Sequence, residues 1–272
     1  MVQKNILATI LINNFNNKKF LKKCIYSCLA QSYKNIEIII YDDKSNDGSK
    51  KLLKKIKNNK IKRIFNLKKK YQSSALNQFE AIRKSFFNKK SKIIFLLDSD
   101  DYFFKNKVKV IMNEFQKNKE LNFIQDNPLY FYPNKNLKFK KKLKKKYFTL
   151  YTWPYFNPTS TMVFRKNLLK KIIVDISFSK NNFKRMFFDA RAFIYIYFFE
   201  KNYLNINKYL TGYTQNTAGD TLSNYDQKNT IWWKRRLEYH QFVIKLFNKK
   251  NKFHFKFFDY YLTRLINLFL KD

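Results

Sequence analysis

Two acidic clusters, each directly after a strongly apolar run, carry the clearest chemical signal in this sequence. The first run, Ile36–Tyr41, leads into the pair Asp42 and Asp43. The second run, Ile93–Leu97, leads into Asp98–Asp101, which reads Asp-Ser-Asp-Asp. The chain of 272 residues has a formal net charge of +38 and only 19 acidic residues, so this clustering points to a function.

The spacing of the second cluster suits a divalent metal ion. Asp-x-Asp supplies the hard oxygen ligands that Mg²⁺ and Mn²⁺ prefer, and a metal held this way can neutralise a diphosphate. Carboxylates at the carboxyl ends of strands lie where open α/β sheets bind their ligands. Together these features predict a sugar-nucleotide site. The alternative is turn chemistry and helix capping after a strand, which is the simpler explanation for Asp47.

The elements that must position these clusters alternate in periodicity. Continuous apolar runs predict buried strands at 6–12, 36–41, 61–67 and 93–97. Apolar residues at helical spacing predict helices at 18–31 and 74–88, with a short helix around Leu52–Ile56. This alternation predicts an α/β fold with a parallel sheet and right-handed crossovers.

The second half of the chain has a less regular pattern. It predicts an extended strand at Leu121–Tyr132 interrupted by Pro128, and a lysine-rich loop or arm at 138–146. It also predicts a shaped loop entering a strand at 153–165 and helices at 187–201, 226–250 and 253–270. The last two helices interleave apolar and basic residues, so they suit an anionic bilayer as well as ordinary packing on the rest of the chain.

The basic excess, 57 Lys and Arg against 19 Asp and Glu, has two explanations. It can attract a polyanion, either nucleic acid or an anionic membrane. It can also be the compositional drift of an AT-rich genome, because Gly (3) and Pro (4) are rare. No run approaches the roughly 20 apolar residues that span a bilayer, and the first run is too short for a signal peptide. We therefore expect a cytoplasmic protein, either free or peripheral on the cytoplasmic face of the inner membrane.

Four ordered stretches within residues 5–110 resemble the family 2 glycosyltransferases of GT-A fold. They are Thr9–Asn16, Cys28–Ile40, Asp42–Ser49 and Leu96–Tyr102. The resemblance implies a mostly parallel central sheet flanked by helices. It also implies a catalytic domain over 1–222, with a nucleotide-sugar half at about 1–110 and an acceptor half at about 111–222. A basic aromatic helical extension would follow at 223–272.

The resemblance implies roles for individual residues. Asp43, with Asp42, would accept hydrogen bonds from the base or ribose, and Asp98 would reach the ribose or a metal-bound water. Asp100 would bind Mn²⁺ or Mg²⁺ directly, and Asp101 would be a second ligand or an orienting group. The full set of implied nucleotide-sugar-binding residues is Asn13, Phe15, Asp42, Asp43, Ser74, Asn77, Asp98, Ser99 and Gln215.

An inverting transfer needs a general base for the acceptor hydroxyl. Asp189 resembles the family's acidic pair at a helix start, with Phe188 in place of the first acid. The alternative is a helix N-terminal acid stabilised by the helix dipole. Two further stretches resemble acceptor-side elements: Asn157–Arg165, a polar turn before a strand, and Tyr213–Ser223, a loop that closes over the diphosphate.

These features together predict a metal-dependent, inverting, non-processive glycosyltransferase. We expect a nucleoside-diphosphate sugar donor, with UDP favoured, and a cell-surface glycan or lipid-linked acceptor. An anionic membrane surface is a further expected partner, and no specific nucleic acid is expected. The alternative is a non-catalytic or degenerate GT-A-like protein that binds polyanions or membranes, because Tyr71–Asn77 lacks the family's glycines. A nucleotidyltransferase would carry a Gly-rich loop after the first strand, and Asn13–Asn17 has none.

Overall fold

The computed structural model of the chain describes most of its length. The described residues are 6–67, 73–85, 91–133, 137–140, 156–179, 181–215, 230–252 and 257–270. Within these ranges the chain forms nine strands and eight helices, and all nine strands belong to one sheet.

The first half of the sheet consists of four parallel strands in the order β3-β2-β1-β4. The strands are β1 (Ala8–Asn14), β2 (Ile36–Asp42), β3 (Ile61–Phe65) and β4 (Ile93–Asp98). The helices that connect them are α1 (Lys18–Leu29), α2 (Ser49–Lys55) and α3 (Ser74–Ser85). The predicted alternation is confirmed here. Asn14 pairs in register with Asp42, and Asn13 with Asp98, so both acidic clusters end at the same edge of the sheet.

The second half of the sheet is mixed. Its strands are β5 (Tyr102–Phe103), β6 (Phe123–Tyr132), β7 (Leu137–Lys140), β8 (Met162–Arg165) and β9 (Tyr203–Thr214). Its helices are α4 (Lys107–Lys117), α5 (Lys166–Asp175) and α6 (Phe188–Phe199). Strand β8 runs antiparallel between β4 and β6, and β9 pairs parallel with β6 and antiparallel with β5.

Two predictions for this half need correction. Pro128 does not interrupt β6, because the register with β9 shifts at Asn127 and Pro128 and so absorbs a residue that has no N–H to donate. The lysine-rich segment 138–146 does not begin as a loop. Residues 138–140 belong to β7, which pairs with β6, and 141–146 lie outside the described residues.

The core has two layers, one on each face of the sheet. Successive strand residues alternate between them: Ile10, Ile12 and Phe95 lie in one layer, and Leu11 and Leu96 in the other. Helices α1 and α4 cover the first face, and α3, α5 and α6 cover the second. Full burial of each such side chain stabilises the fold by roughly 1.5–3 kcal/mol, so the parallel strands are a rigid base for their loops.

Two long helices follow the sheet: α7 (Thr230–Lys249) and α8 (Phe257–Phe269). Helix α7 joins the second core layer through Phe242, Val243 and Leu246. Among the described residues, α8 contributes no side chain to either layer. A search of the described helices finds none with the length and apolar character needed to cross a bilayer.

Candidate active site

The end of β1 holds both acidic loops in place. The Asp43 N–H donates to the Asn14 carbonyl at 2.9 Å, and the Ser99 N–H donates to the Asn13 carbonyl at 3.1 Å. Strands β2 and β4 flank β1 in the sheet, so their carboxylates lie on either side of one central strand. The topology brings together clusters that are more than 50 positions apart in sequence.

Asp42 and Asp43 have different surroundings. The buried Asp42 carboxylate accepts hydrogen bonds from Asn14 Nδ2 at 2.7 Å and from the Ser45 N–H at 3.1 Å, which shapes the loop. Asp43 Oδ1 accepts from Asn66 Nδ2 at 2.7 Å, but its Oδ2 is buried with no hydrogen-bond partner among the described residues. A buried acceptor left unsatisfied costs about 1–3 kcal/mol, so Asp43 Oδ2 is suited to accept a hydrogen bond from a ligand.

Asp47 is a cap, as the turn-chemistry explanation predicts. Its Oδ2 accepts the N–H of Lys18, the first residue of α1, at 2.7 Å. Its Oδ1 accepts the N–H of Ser49, the first residue of α2, at 2.9 Å. Although burial acts to raise it, the pKa of Asp47 is lowered, because these hydrogen bonds stabilise the charged form.

The second cluster forms a tight turn after β4. The Asp101 N–H donates to the Asp98 carbonyl at 3.0 Å. Gln78 Nε2 of α3 lies 3.0 and 3.2 Å from the two carboxylate oxygens of Asp98. Burial, together with the negative charge of Asp100, raises the pKa of Asp98 to about 7 despite the bond from Gln78. The turn therefore brings the carboxylates of Asp98, Asp100 and Asp101 into one electrostatic environment.

The two predicted metal ligands are placed differently. Asp101 Oδ2 accepts from Ser160 Oγ at 2.5 Å and Oδ1 accepts from the Thr214 N–H at 2.8 Å, so the protein engages both of its oxygens. Burial and the charges of Asp100 and Asp98 raise its pKa well above the usual range. Asp100 is partly exposed, and its carbonyl accepts from Thr214 Oγ1 at 2.6 Å. Asp100 is thus the more accessible of the two.

A buried ion pair between Lys107 and Asp126 helps to position the turn at Asp98–Asp101. Lys107 Nζ lies 2.7 Å from Asp126 Oδ1, and neither side chain is exposed to solvent. Lys107 Nζ also donates to the Ser160 carbonyl at 2.8 Å, while the Ser160 hydroxyl accepts from the Asp98 N–H at 3.0 Å. Removing one partner of a buried pair costs roughly 3–5 kcal/mol, so this network fixes the position of Ser160 and hence of the turn. The sequence analysis did not find it.

Asp189 lies in the first turn of α6 and is 4% exposed. Its Oδ1 accepts the Ala190 N–H at 2.7 Å. Burial raises its pKa to about 6, against the opposing effects of that hydrogen bond and of the Arg235 charge. The Asp189 charge in turn contributes to the raised pKa of Asp98, so the two carboxylates act in one electrostatic environment.

Gln78 links these two carboxylate positions and was missed by the sequence analysis. Its Nε2 binds Asp98, and its Oε1 accepts the N–H of Phe188, at the start of α6, at 3.0 Å. It lies one helical turn after Ser74, which the sequence analysis had selected. That i, i+4 spacing on the polar side of α3 is the signal that could have found it.

The remaining predicted residues surround this centre. Phe15, directly after β1, is 40% exposed, Ser74 is exposed, and Asn77 is buried. The Ser99 hydroxyl accepts a hydrogen bond from Asn17 Nδ2 at 3.0 Å.

Gln215 directly follows β9 and is buried. Its N–H donates to the Phe131 carbonyl at 2.8 Å, one residue after the contact of Thr214 with Asp101. Segments 71–72, 153–155 and 216–223, which the sequence analysis discussed, lie outside the described residues.

The carboxylates at this edge suit a divalent metal ion that takes its other ligands from a bound phosphate group and from water. In the described part of the chain, no group of three or more His, Cys, Asp or Glu side chains has the geometry to hold a metal alone. Mg²⁺ in particular is commonly held by one or two carboxylates together with phosphate oxygens and water. The crowding of Asp98, Asp100 and Asp101 supplies the negative charge that such a cation would neutralise.

Comparison with known proteins identifies the protein family to which the chain belongs. The model of the family "Glycosyl transferase family 2" matches residues 9–173, which is more than half of the chain. The chain therefore belongs to glycosyl transferase family 2. The resemblance stated from the sequence motifs is confirmed.

Curated relatives match part of the chain. An Escherichia coli protein named UDP-Glc:alpha-D-GlcNAc-diphosphoundecaprenol beta-1,3-glucosyltransferase WfaP is 38% identical over 102 residues, which is 38% of each protein. The chondroitin synthase of Escherichia coli is 30% identical over 116 residues, 42% of this chain and 16% of that protein. These matches span less than half the length of either relative.

Solved structures match nearly the whole chain. Staphylococcus aureus TarS 1-349, in complex with UDP-GlcNAc, superposes with a TM-score of 0.57 at 15% identity, covering 90% of this chain and 72% of that TarS fragment. The mannosyltransferase PcManGT of Pyrobaculum calidifontis, in complex with GDP-Man and Mn²⁺, has a TM-score of 0.54 at 9% identity, covering 96% and 70%. The GT-A-type α/β fold is confirmed.

Proposed function

We propose that the chain is an inverting, non-processive, metal-dependent glycosyltransferase. It moves a sugar from a nucleoside-diphosphate donor, with UDP favoured, to a cell-surface glycan or lipid-linked acceptor. The observation that carries the proposal is the crowding of Asp98, Asp100 and Asp101 at one sheet edge of a chain with a net charge of +38. A cluster of carboxylates suits a cation and the diphosphate that the cation would bind.

The nucleotide end of the donor would bind near β2. Asp43 Oδ2, which is buried without a partner among the described residues, would accept a hydrogen bond from the base or the ribose. Asp42 would act indirectly, because its carboxylate already holds the loop through Asn14 and Ser45. The UDP-sugars in the name of WfaP and in the TarS complex support a UDP donor.

The diphosphate end would lie over the turn after β4. Asp100 would bind Mn²⁺ or Mg²⁺, and Asp101, held by Ser160 and Thr214, would orient the turn. A bound divalent ion would supply Lewis-acid stabilisation of the departing diphosphate. The Mn²⁺ in the PcManGT complex supports this assignment.

Asp189 would be the general base. In its charged form it would take the proton of the acceptor hydroxyl as that oxygen forms its bond to the anomeric carbon. The bond from the anomeric carbon to the diphosphate breaks on the opposite face, and the nucleoside diphosphate leaves with the electron pair. Gln78 would set the distance between the start of α6 and Asp98. The diphosphoundecaprenol-linked substrate in the name of WfaP supports a lipid-linked acceptor.

The second candidate is a degenerate transferase that binds polyanions or membranes without catalysis. The missing glycines in Tyr71–Asn77 and the net charge of +38 favour it. It predicts nucleotide binding that is indifferent to base and metal and that disappears when salt screens the charge.

Calorimetry with UDP, GDP and dTDP, with and without Mn²⁺ and at high salt, separates the candidates. We expect metal-dependent binding that favours UDP. The Asp43→Asn substitution should weaken UDP binding by roughly tenfold, as expected for a hydrogen bond to a charged group. Glu120→Gln, an exposed surface change, is the matched control. Weak binding that is equal for all three nucleotides and insensitive to both Mn²⁺ and Asp43→Asn would refute the proposal.

A further inference from the structure

Helix α8 has its polar side inside and its apolar side outside. Asp259, Thr263 and Asn267 are spaced four residues apart, so they line one side of the helix. Asp259 and Thr263 are buried, at 7% and 0% exposure, and Asn267 is partly buried. A helix on the surface of a water-soluble domain normally has the opposite arrangement.

The polar side of α8 is attached to α7 by a specific set of contacts. The Arg236 guanidinium binds both carboxylate oxygens of Asp259, and Arg236 Nε donates to Thr263 Oγ1 at 3.2 Å. His240 Nε2 lies 3.2 Å from Asp259 Oδ2. At the other end, Asn267 Nδ2 donates to the Trp233 carbonyl at 3.1 Å. These contacts fix the rotation of α8 about its axis. They therefore hold the opposite side of the helix facing outward.

The outward side carries six large apolar side chains. Their exposed fractions are 71% for Phe258, 58% for Tyr261, 42% for Leu262, 52% for Leu265, 74% for Leu268 and 78% for Phe269. We call these six residues the α8 stripe. Their spacing of three and four residues makes the stripe continuous along the helix. Continuous exposed apolar surface of this kind marks an interaction site.

The net charge of the chain indicates which kind of partner binds the α8 stripe. Two copies of a chain with a net charge of +38 repel each other, whereas an anionic bilayer attracts each copy. Arg264 is exposed within the same stretch of helix, and its long stem lets the guanidinium reach lipid headgroups while apolar neighbours enter the acyl region. Phe and Leu facing a surface beside basic residues are typical of helices that lie in the bilayer interface.

We propose that the α8 stripe docks on an anionic lipid bilayer, with α8 lying parallel to the membrane plane. The inference goes beyond the transfer chemistry and does not depend on it. Since α7 packs into the core of the sheet while it holds α8, docking would fix the orientation of the whole chain on the membrane.

Vesicle co-sedimentation of the full chain tests this proposal. We compare vesicles containing phosphatidylglycerol with vesicles of phosphatidylcholine alone, each at low and high salt. The double variant Leu265→Ser/Leu268→Ser should lower partitioning to anionic vesicles by roughly tenfold or more, because two apolar side chains no longer enter the bilayer. Tyr26→Ser, which removes an apolar side chain that is 51% exposed on α1, should leave partitioning unchanged.

Control measurements keep the outcome interpretable. Circular dichroism and thermal unfolding should be the same for the double variant and the wild type, because both leucines are exposed. UDP binding should also be unchanged, so failure of the docking proposal is distinguishable from failure of the proposed function. Equal partitioning of the double variant and the wild type would overturn the proposal. So would sedimentation equilibrium showing a wild-type dimer that the double variant abolishes, since the stripe would then bind a second copy.

Discussion

The turn after β4 and the interface between α7 and α8 both bury carboxylates, and they treat them in opposite ways. At the interface, Asp259 binds Arg236 and lies beside His240, and these contacts hold its pKa well below the usual range. At the turn, Asp98 and Asp101 lie with Asp100, and their pKa values are raised. Compensated charge attaches one helix to another, whereas crowded charge of one sign suits the binding of a cation.

The largest effect that this comparison predicts concerns Asp189. We expect Asp189→Asn to lower turnover by about 10²–10⁴-fold and to leave UDP binding unchanged, since the proposed general base would act on the acceptor. Because the wild-type pKa is about 6, kcat/KM should fall about tenfold per pH unit below that value. Steady-state kinetics across pH measures both effects, with Glu120→Gln as the control.

Thermal unfolding of Asp189→Asn distinguishes the two roles considered for Asp189, a general base and an acid that stabilises the start of α6. The folded pKa of Asp189 is raised from 3.8 to about 6, so its charge becomes a growing penalty to stability as pH rises between these values. Above pH 6 that penalty is on the order of 3 kcal/mol. Asp189→Asn should therefore unfold at the same or a higher temperature at neutral pH. A clearly lower unfolding temperature would indicate a structural cap instead.

A stability effect of the opposite sign is expected for Asp259→Asn. A depressed folded pKa gives stability that is present above the unfolded pKa near 3.8 and is lost as pH falls through the folded value. Removing the charge leaves Arg236 buried without its ion pair, which should cost about 3 kcal/mol at neutral pH. Thermal unfolding at neutral pH and in acid measures it, and the wild-type advantage should shrink in acid.

Glu238→Gln is the matched control for that variant. Its partner Arg185 is 46% exposed, so water screens the pair and the loss should stay below about 1 kcal/mol. Equal losses in Asp259→Asn and Glu238→Gln would contradict the view that the interface with α8 depends on compensated buried charge.

The parallel half of the sheet could be predicted from the sequence for a physical reason. Strands buried on both faces give continuous apolar runs, as in Ile36–Tyr41 and Ile93–Leu97, and parallel strands end at one edge. Those two facts locate both acidic clusters before any coordinates are known. The sequence alone cannot separate Asp42 from Asp43, because their difference depends on Asn14 and Asn66.

The supporting network could not be predicted, because its contacts join distant parts of the chain. Lys107 and Thr211 are 104 positions apart, and Gln78 and Phe188 are 110 apart. One lysine among 57 basic residues gives no local sign of burial. Helices α4 and α5 and strand β9 were likewise not predicted, and Tyr213 and Thr214, predicted as the start of a loop, are the last residues of β9. The apolar spacing of α8 is equally consistent with packing on the sheet, and only its exposed side chains favour a membrane.

The most direct test of the central claim is Mn²⁺ binding, followed by the electron paramagnetic resonance signal of the free ion. We predict that UDP strengthens Mn²⁺ binding to the wild type, because the proposed site would bind the ion through both the carboxylates at the end of β4 and the diphosphate. In the presence of UDP, the Asp100→Asn variant should bind Mn²⁺ at least about tenfold more weakly than the wild type, with an unchanged circular dichroism spectrum. UDP-dependent Mn²⁺ binding of equal strength in Asp100→Asn and the wild type would contradict the account.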